Sequence, residues 1–196
     1  MFSIRPCAAG CGEPAITGSN LCFNHQVNPG QESRRIVDYI AGNQLVRNLN
    51  AAGMHFRDID LSGHHFYGCN FRETSFAGCV LSRIEIMMSF FDFSEFNNCD
   101  FSNSDIQFLS FAGSKFTECS FEDSELVHVN FEGASIRNTS FNNSNLYNSR
   151  FINAGLNAST FVNCNLKRTY FVSSRQKNIS FKSSNTAEAI FEREDR

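Results

Sequence analysis

Apolar residues recur at every fifth position along most of this chain. From Phe56 to Phe171 each fifth residue is Phe, Leu or Ile without interruption, and the residue two positions earlier is mostly Ser, Thr, Cys or Ala. A strand repeats with a period of 2 and a helix with a period of 3.6, so neither produces a strict period of five. The pattern therefore predicts a structure built from short internal repeats.

The kind of apolar residue repeats at a longer spacing of twenty positions. Every twentieth residue from Phe71 to Phe191 is Phe, and the phase is interrupted at Gln176 and Thr186 but kept at Phe181. Four units of five residues therefore predict one coil with four faces. Stacked at a spacing of ~4.8 Å, about seven such coils would extend roughly 35 Å.

These units resemble the pentapeptide repeat family over about residues 54–193. The closest matches to its motif are CNFRE (69–73), CDFSN (99–103), SNLYN (144–148) and CNLKR (164–168). The resemblance implies an all-β solenoid, a right-handed quadrilateral parallel β-helix whose central Leu or Phe and preceding small residue point inward. It also implies a binding function, since some members bind DNA gyrase or topoisomerase IV and protect bacteria from quinolones or peptide toxins.

The segment before the repeats has apolar residues at helical spacing. They predict one amphipathic helix from about Glu32 to Leu49 that covers the first coil, as solenoid ends require caps. We expect a zinc-knuckle segment at 1–30, this capping helix at 31–53, the β-helix at 54–193 and a charged tail at 194–196.

The N-terminal segment contains a pattern of metal ligands. Cys7, Cys11, Cys22 and His25 follow the spacing Cys-x3-Cys-x10-Cys-x2-His, which supplies the four ligands of a tetrahedral zinc site. The pattern resembles small zinc knuckles found beside bacterial and phage nuclease or DNA-binding domains. Four protein ligands leave no open position, so a structural Zn²⁺ is predicted. The alternative is a loop with three free thiols.

The other cysteines all fall at the inward small position of the repeat. Cys79, Cys99 and Cys119 are twenty residues apart and are predicted to stack on one face, at a separation that a disulfide would tolerate. Cys69 and Cys164 occupy the same position elsewhere. We interpret all five as small buried thiols in a reducing compartment.

The repeat phase turns a set of large apolar residues outward. On two adjacent faces these are Tyr67, Met87, Met88, Phe90, Phe93, Phe108 and Tyr147. Aromatic residues and Met gathered on a surface are typical of a protein interface. We therefore predict a protein partner or a homodimer on these faces. The alternative is that the N-terminal segment folds back over them.

Charge is unevenly distributed along the chain, although the net charge is only −3, which does not favour nucleic acid. Residues 135–186 contain Arg and Lys but no acid. Residues 92–132 are acidic apart from Lys115, with Asp92, Glu95, Asp100, Asp105, Glu118, Glu122, Asp123, Glu125 and Glu132. Such polarity can orient a partner.

No catalytic constellation is recognisable, so the sequence predicts a non-catalytic scaffold or adaptor with a structural zinc site. The alternative is a DNA-mimic-like protection factor that binds gyrase or another type II topoisomerase. There is no apolar run of the ~18 to 20 residues that a spanning helix needs and no recognisable secretory signal. We therefore expect a bacterial cytoplasmic protein without a membrane partner.

Overall fold

The computed structural model describes residues 5–192, which form a right-handed quadrilateral β-helix of about seven coils. The described residues contain one helix, α1 (Pro29–Ala41), two short 3₁₀ helices (Phe23–His25 and Thr186–Glu188) and twelve strands of three residues each. The strands are β1 (Leu45–Arg47), β2 (His55–Arg57), β3 (His65–Tyr67), β4 (Ser75–Ala77), β5 (Glu85–Met87), β6 (Glu95–Asn97), β7 (Asp105–Gln107), β8 (Lys115–Thr117), β9 (Glu125–Val127), β10 (Ser135–Arg137), β11 (Gly155–Asn157) and β12 (Arg175–Lys177).

The solenoid has four faces, which we name A to D in chain order. Face A is the seven-stranded sheet β2-β4-β6-β8-β10-β11-β12, and face C is the five-stranded sheet β1-β3-β5-β7-β9. Face B follows the series that begins at Leu61, and face D follows the series that begins at Phe71; both are joined by single parallel bridges such as Asp60–Val80 and Asn70–Phe90. All strand pairs are parallel with partners twenty residues apart, as in Phe56 opposite Phe76. The predicted fold is confirmed.

The core is a set of stacked phenylalanine ladders. On face B the rings of Phe121 and Phe141 lie 5.0 Å apart at 4°, and those of Phe141 and Phe161 lie 4.7 Å apart at 2°. Rings on the opposite faces B and D meet edge to face in the interior, as Phe141 and Phe151 do at 90°. Both geometries suit the aromatic quadrupole and contribute about 0.5–1.5 kcal/mol per pair beyond burial. The ladders therefore bind each coil to the next.

Small polar side chains at the inward position form hydrogen bonds within the core. The Ser94 hydroxyl donates to the Phe71 carbonyl at 2.8 Å and accepts from the Thr74 amide at 3.1 Å, so it links adjacent coils. Cys79 takes the same position, with its Sγ 3.6 Å from the Phe56 carbonyl. Within residues 5–192 every buried side-chain nitrogen and oxygen has a hydrogen-bond partner. Buried hydroxyls are therefore tolerated here without the usual desolvation penalty.

The predicted helix from Glu32 to Leu49 is wrong at both ends. It begins earlier because Asn28 accepts a hydrogen bond from the Gln31 amide and Pro29 follows at the first helical position. It ends at Ala41 because Gly42 follows, and Leu45–Arg47 instead pairs with β3. Val46 and Ala51 occupy central positions of two further repeats, so the first coil begins before residue 54.

The last coil keeps the ring stacking, although the five-residue series of apolar positions is interrupted in it. Gln176 is exposed on β12, whereas Phe191 stacks on Phe171 at 5.2 Å and Ile190 bridges to Tyr170. The predicted tail at 194–196 lies outside the described residues, as do Met1–Ile4 of the zinc-knuckle segment. None of the helices within 5–192 is long and apolar enough to cross a lipid bilayer.

Candidate metal centre and apolar surface

The predicted zinc ligands converge. The ligand atoms of Cys7, Cys11, Cys22 and His25 all lie within 4.8 Å of one another. Cys11 Sγ is 3.7 Å from Cys22 Sγ, and His25 Nδ1 is 3.6 Å from Cys7 Sγ and 3.2 Å from Cys22 Sγ. A tetrahedron with Zn–S of ~2.3 Å and Zn–N of ~2.0 Å has edges of about 3.8 Å and about 3.5 Å. These residues fit a zinc ion.

Local backbone structure brings the ligands together. Gly10 and Gly12 have φ of +75° and +85°, a region that favours glycine, and they let the loop from Cys7 to Glu13 turn tightly around Cys11. The Cys7 amide donates to the Glu13 carbonyl at 2.8 Å, which closes this loop. The 3₁₀ helix Phe23–His25 places His25 beside Cys22, with the His25 amide donating to the Cys22 carbonyl.

The surroundings shift the pKa values of two of the ligand thiols in opposite directions. The backbone N–H of Cys22 lowers the pKa of the Cys7 thiol to about 6. Burial raises the pKa of Cys22. A metal ion would supply the positive charge that keeps both as thiolates, since zinc binds the deprotonated form.

The knuckle (residues 5–25) is docked on the first coil. Asn50 Nδ2 donates to the Ala15 carbonyl at 2.6 Å, and the Thr17 amide donates to the Asn50 carbonyl at 2.9 Å. Phe23 packs edge to face on His55 at 5.6 Å. The side chain of Arg35 on α1 donates to the Thr17 carbonyl. The four candidate metal ligands therefore belong to a segment that is docked on the N-terminal coil of the solenoid.

A cleft of about 700 Å³ separates the knuckle from face D, and we name it the knuckle cleft. Glu13, Pro14 and Phe23 line it on the knuckle side. Arg72, Glu73, Phe90 and Asp92 line it on the solenoid side. The cleft is not predictable from the sequence, because nothing in the repeat pattern indicates where the knuckle docks.

Seven outward apolar residues lie on faces C and D and at the corners of face D, and we name this set the apolar patch. The exposed fractions are 59% for Met88, 41% for Phe90, 59% for Phe93 and 54% for Phe108. Met88 and Phe108 lie at the corner between faces C and D, Phe90 lies on face D, and Phe93 lies at the next corner, between faces D and A. The apolar patch is completed on face C by half-buried side chains, namely Tyr67, Met87 and Tyr147.

Three members of the patch occupy left-handed corner positions. The φ values are 49° for Met88, 59° for Phe93 and 50° for Phe108. Asn and Gly are the commonest residues at equivalent corners, as at Asn98 and Gly133. A side chain with a Cβ costs about 1–2 kcal/mol in this conformation, and only Gly, Asn and Asp visit it routinely. The bulky apolar residues are thus placed where the local backbone disfavours them.

Neighbours one coil away orient the exposed rings. The Phe93 ring lies against Gly113, where a Cβ would come within 2.6 Å of two of its carbons. Phe108 stacks on His128 at 4.9 Å and 10°. Tyr67 Oη donates to Glu85 at 3.0 Å. Gly113 and His128 lie twenty residues after Phe93 and Phe108, so the repeat register could have identified both supports.

The N-terminal segment does not cover the patch. It reaches Phe90, which lines the knuckle cleft, but Met88, Phe93 and Phe108 keep more than half of their surface exposed. The alternative in which this segment folds back over the apolar faces is therefore wrong for these three residues.

Two sequence models of pentapeptide repeats match the chain. The model described as pentapeptide repeats (8 copies) matches residues 48–84 and 91–123, and the model described as a pentapeptide repeat region matches residues 114–191. The chain belongs to the pentapeptide repeat family. The first match begins at residue 48, in agreement with the early first coil.

Solved structures of pentapeptide repeat proteins share this fold. A trypsin-treated form of QnrB1, a plasmid-mediated fluoroquinolone resistance protein, is 20% identical with a TM-score of 0.52, covering 74% of this chain and 79% of that one. HetL, involved in heterocyst differentiation regulation in the cyanobacterium Nostoc sp. strain PCC 7120, is 12% identical with a TM-score of 0.46, covering 80% and 95%. No curated protein sequence matches this chain significantly.

Charge on this pentapeptide solenoid is distributed in bands along the axis. The acidic residues of 92–132 lie on all four faces, and Lys115 pairs with Glu95 at 2.6 Å. The last coils are basic, and Lys167 lies 3.7 Å from Glu188. The apolar patch begins at the N-terminal edge of the acidic band.

Proposed function

We propose that this chain is a non-catalytic cytoplasmic scaffold that binds a protein partner through the apolar patch and is stabilised at its N-terminal end by a structural zinc ion. The pentapeptide repeat fold supports a binding role, since its surface is a regular array of outward side chains. The fit of Cys7, Cys11, Cys22 and His25 to a closed tetrahedron supports a structural metal.

One observation carries the proposal, namely bulky apolar residues at exposed left-handed corners. Met88, Phe93 and Phe108 each accept unfavourable backbone energy and also expose apolar surface to water. Asn at the same corners would remove both penalties. Strain of this kind clusters at functional sites, where it is compensated by what the residue does. Burial against a partner is the compensation that suits exposed Phe and Met.

The test replaces the patch with the residue that the corner prefers. In the variant Met88→Asn, Phe93→Asn, Phe108→Asn we expect the fold and zinc content to be unchanged. We expect the protein that co-purifies with the wild-type chain from its native host to be lost. Asn98→Ser is the matched control, because it changes an equivalent corner on the far side of the solenoid. Equal recovery of the partner with wild type and the triple variant would sink the patch assignment.

The same variants tell whether the partner is a second copy. A homodimer on the apolar patch would give twice the monomer mass in light scattering, and the triple variant would return it to the monomer. If the wild-type chain is monomeric, the partner that binds the patch is a different protein.

A second candidate is protection of a type II topoisomerase, supported by the acidic band at 92–132, which could present negative charge to a DNA-binding enzyme. It predicts relief of quinolone inhibition in a gyrase supercoiling assay. No relief at saturating protein would remove it and leave the scaffold proposal standing.

A further inference from the structure

We infer that the knuckle cleft binds a peptide segment of the partner that carries a Lys or Arg beside a large apolar side chain. The inference rests on the proposed scaffold function and specifies what the partner presents. It concerns a site that does not include Met88, Phe93 or Phe108, because the cleft lies between the zinc knuckle and face D.

The volume and the apolar lining of the cleft suit a short peptide. Its volume of about 700 Å³ lies within the range of about 300–1,000 Å³ that encloses small ligands. Apolar side chains stand on both sides, with Pro14 and Phe23 on the knuckle and Phe90 on the solenoid. A large apolar side chain that enters here would lose water contact on both of its faces, which provides affinity.

The polar lining is acidic in excess. Glu13, Glu73 and Asp92 stand against Arg72 alone. Asp92 is already engaged, since it accepts from the Ser110 hydroxyl and lies 3.5 Å from Arg72 Nε. Glu13 and Glu73 form no ion pair with any residue of the described range 5–192. Two carboxylates on opposite walls are thus available to a cation, and charge complementarity of this kind sets specificity and orientation.

The cleft opens onto the apolar patch, which favours a segment of the same partner as its occupant. Phe90 belongs both to the cleft lining and to the patch. A chain that leaves the cleft past Phe90 meets Met88 and Phe93 in the same coil. A partner with one basic–apolar segment in the cleft could therefore cover the patch with the surface that follows.

The experiment uses the full-length zinc-loaded chain and a phage library of random linear dodecapeptides. We expect the enriched peptides to share a Lys or Arg within two positions of Phe, Leu or Met. One enriched peptide is then synthesised with a fluorophore, and its dissociation constant is measured by anisotropy. We expect Glu73→Lys to weaken binding at least tenfold, because it places a like charge beside the peptide cation. Absence of basic enrichment would overturn the inference.

Glu118→Lys is the matched control, since both glutamates are exposed and both occupy a left-handed corner, with φ of 58° and 57°. Glu118 lies between faces A and B, away from the cleft, and we expect its variant to bind within twofold of wild type. Equal weakening by both variants would overturn the inference.

The outcome is separable from that of the proposed function. If Glu73→Lys weakens the peptide while the triple patch variant still captures the native partner, the cleft stands and the patch assignment falls. If Glu73→Lys leaves the peptide bound while the triple variant loses the partner, the scaffold function stands and the cleft proposal falls.

Discussion

The solenoid and the knuckle are stable for different reasons. Each inner coil of the solenoid is held by ring stacks above and below, and Phe116, Phe121 and Phe131 are completely buried. The knuckle has few buried apolar residues, chiefly Ile16 and Phe23, and it brings three Cys and one His within 4.8 Å of one another. The comparison teaches that repetition can replace a globular core, whereas the segment without repetition instead gathers residues that can bind a metal.

Removing the metal should have the largest effect and should affect the knuckle alone. Structural zinc contributes about 10–16 kcal/mol of apparent binding energy in zinc-finger peptides, so its loss should unfold residues 5–25. We expect Cys22→Ser to abolish stoichiometric zinc in native mass spectrometry. Amide protection should disappear around Thr17 and Asn50 and persist at Phe116–Phe161 in hydrogen exchange.

Cys99→Ser is the control for that substitution. The inward small position takes Ser elsewhere, as at Ser94, so this variant should keep its zinc and lose less than about 1 kcal/mol. If Cys22→Ser leaves the knuckle protected, the metal is not what holds it.

Removing one stacked phenylalanine ring should have the next largest effect and should destabilise the solenoid. Phe131 is fully buried and stacks on Phe151 at 4.7 Å. Phe131→Ala should lower the free energy of unfolding by about 3–5 kcal/mol through the cavity and the lost stack. Urea denaturation measures it, and zinc content should not change. A loss under 1 kcal/mol would show that neighbouring rings close the gap.

A pair of glycines separates backbone strain from ring packing at the patch. Gly113 and Gly133 have φ of +68° and +69°, but a Cβ would strike the Phe93 ring only at Gly113. Gly133→Ala should cost about 1 kcal/mol from the left-handed backbone. Gly113→Ala should cost about 1 kcal/mol more, because it displaces Phe93. Equal losses in thermal unfolding would mean that the ring moves freely.

The smallest effect is expected from pH. His65 lies 2.6 Å from Glu85 and lowers the pKa of that carboxyl. The folded-state pKa is below the unfolded value of ~4.3, so the stabilisation is present above that pH and is lost as pH falls through the folded value. Both side chains are partly exposed, so the contribution should be a few tenths of a kcal/mol. Wild type should exceed Glu85→Gln in urea midpoint at pH 6 but not at pH 2.5.

The regular coils are easier to predict from the sequence than the segment that precedes them. The inward residues Ile84, Ile86, Ser89 and Phe91 follow from phase alone and are all buried. The repeat is hidden at 43–51 because Val46 and Ala51 stand where Leu, Phe or Ile stand in later coils. Val46 and Leu49 are three residues apart, which also fits one face of a helix, and only the pairing of β1 with β3 shows that this segment is part of a coil.

The sequence by itself determined the solenoid, its phase and the convergence of the four candidate metal ligands, because a strict period leaves each side chain one direction and ligand spacing leaves few geometries. Only the tertiary structure decided where the knuckle docks and that a cleft lies between the knuckle and face D. Those facts depend on contacts such as Asn50 with Ala15. The knuckle lies outside the repeat, so no period relates its residues to those they meet in space.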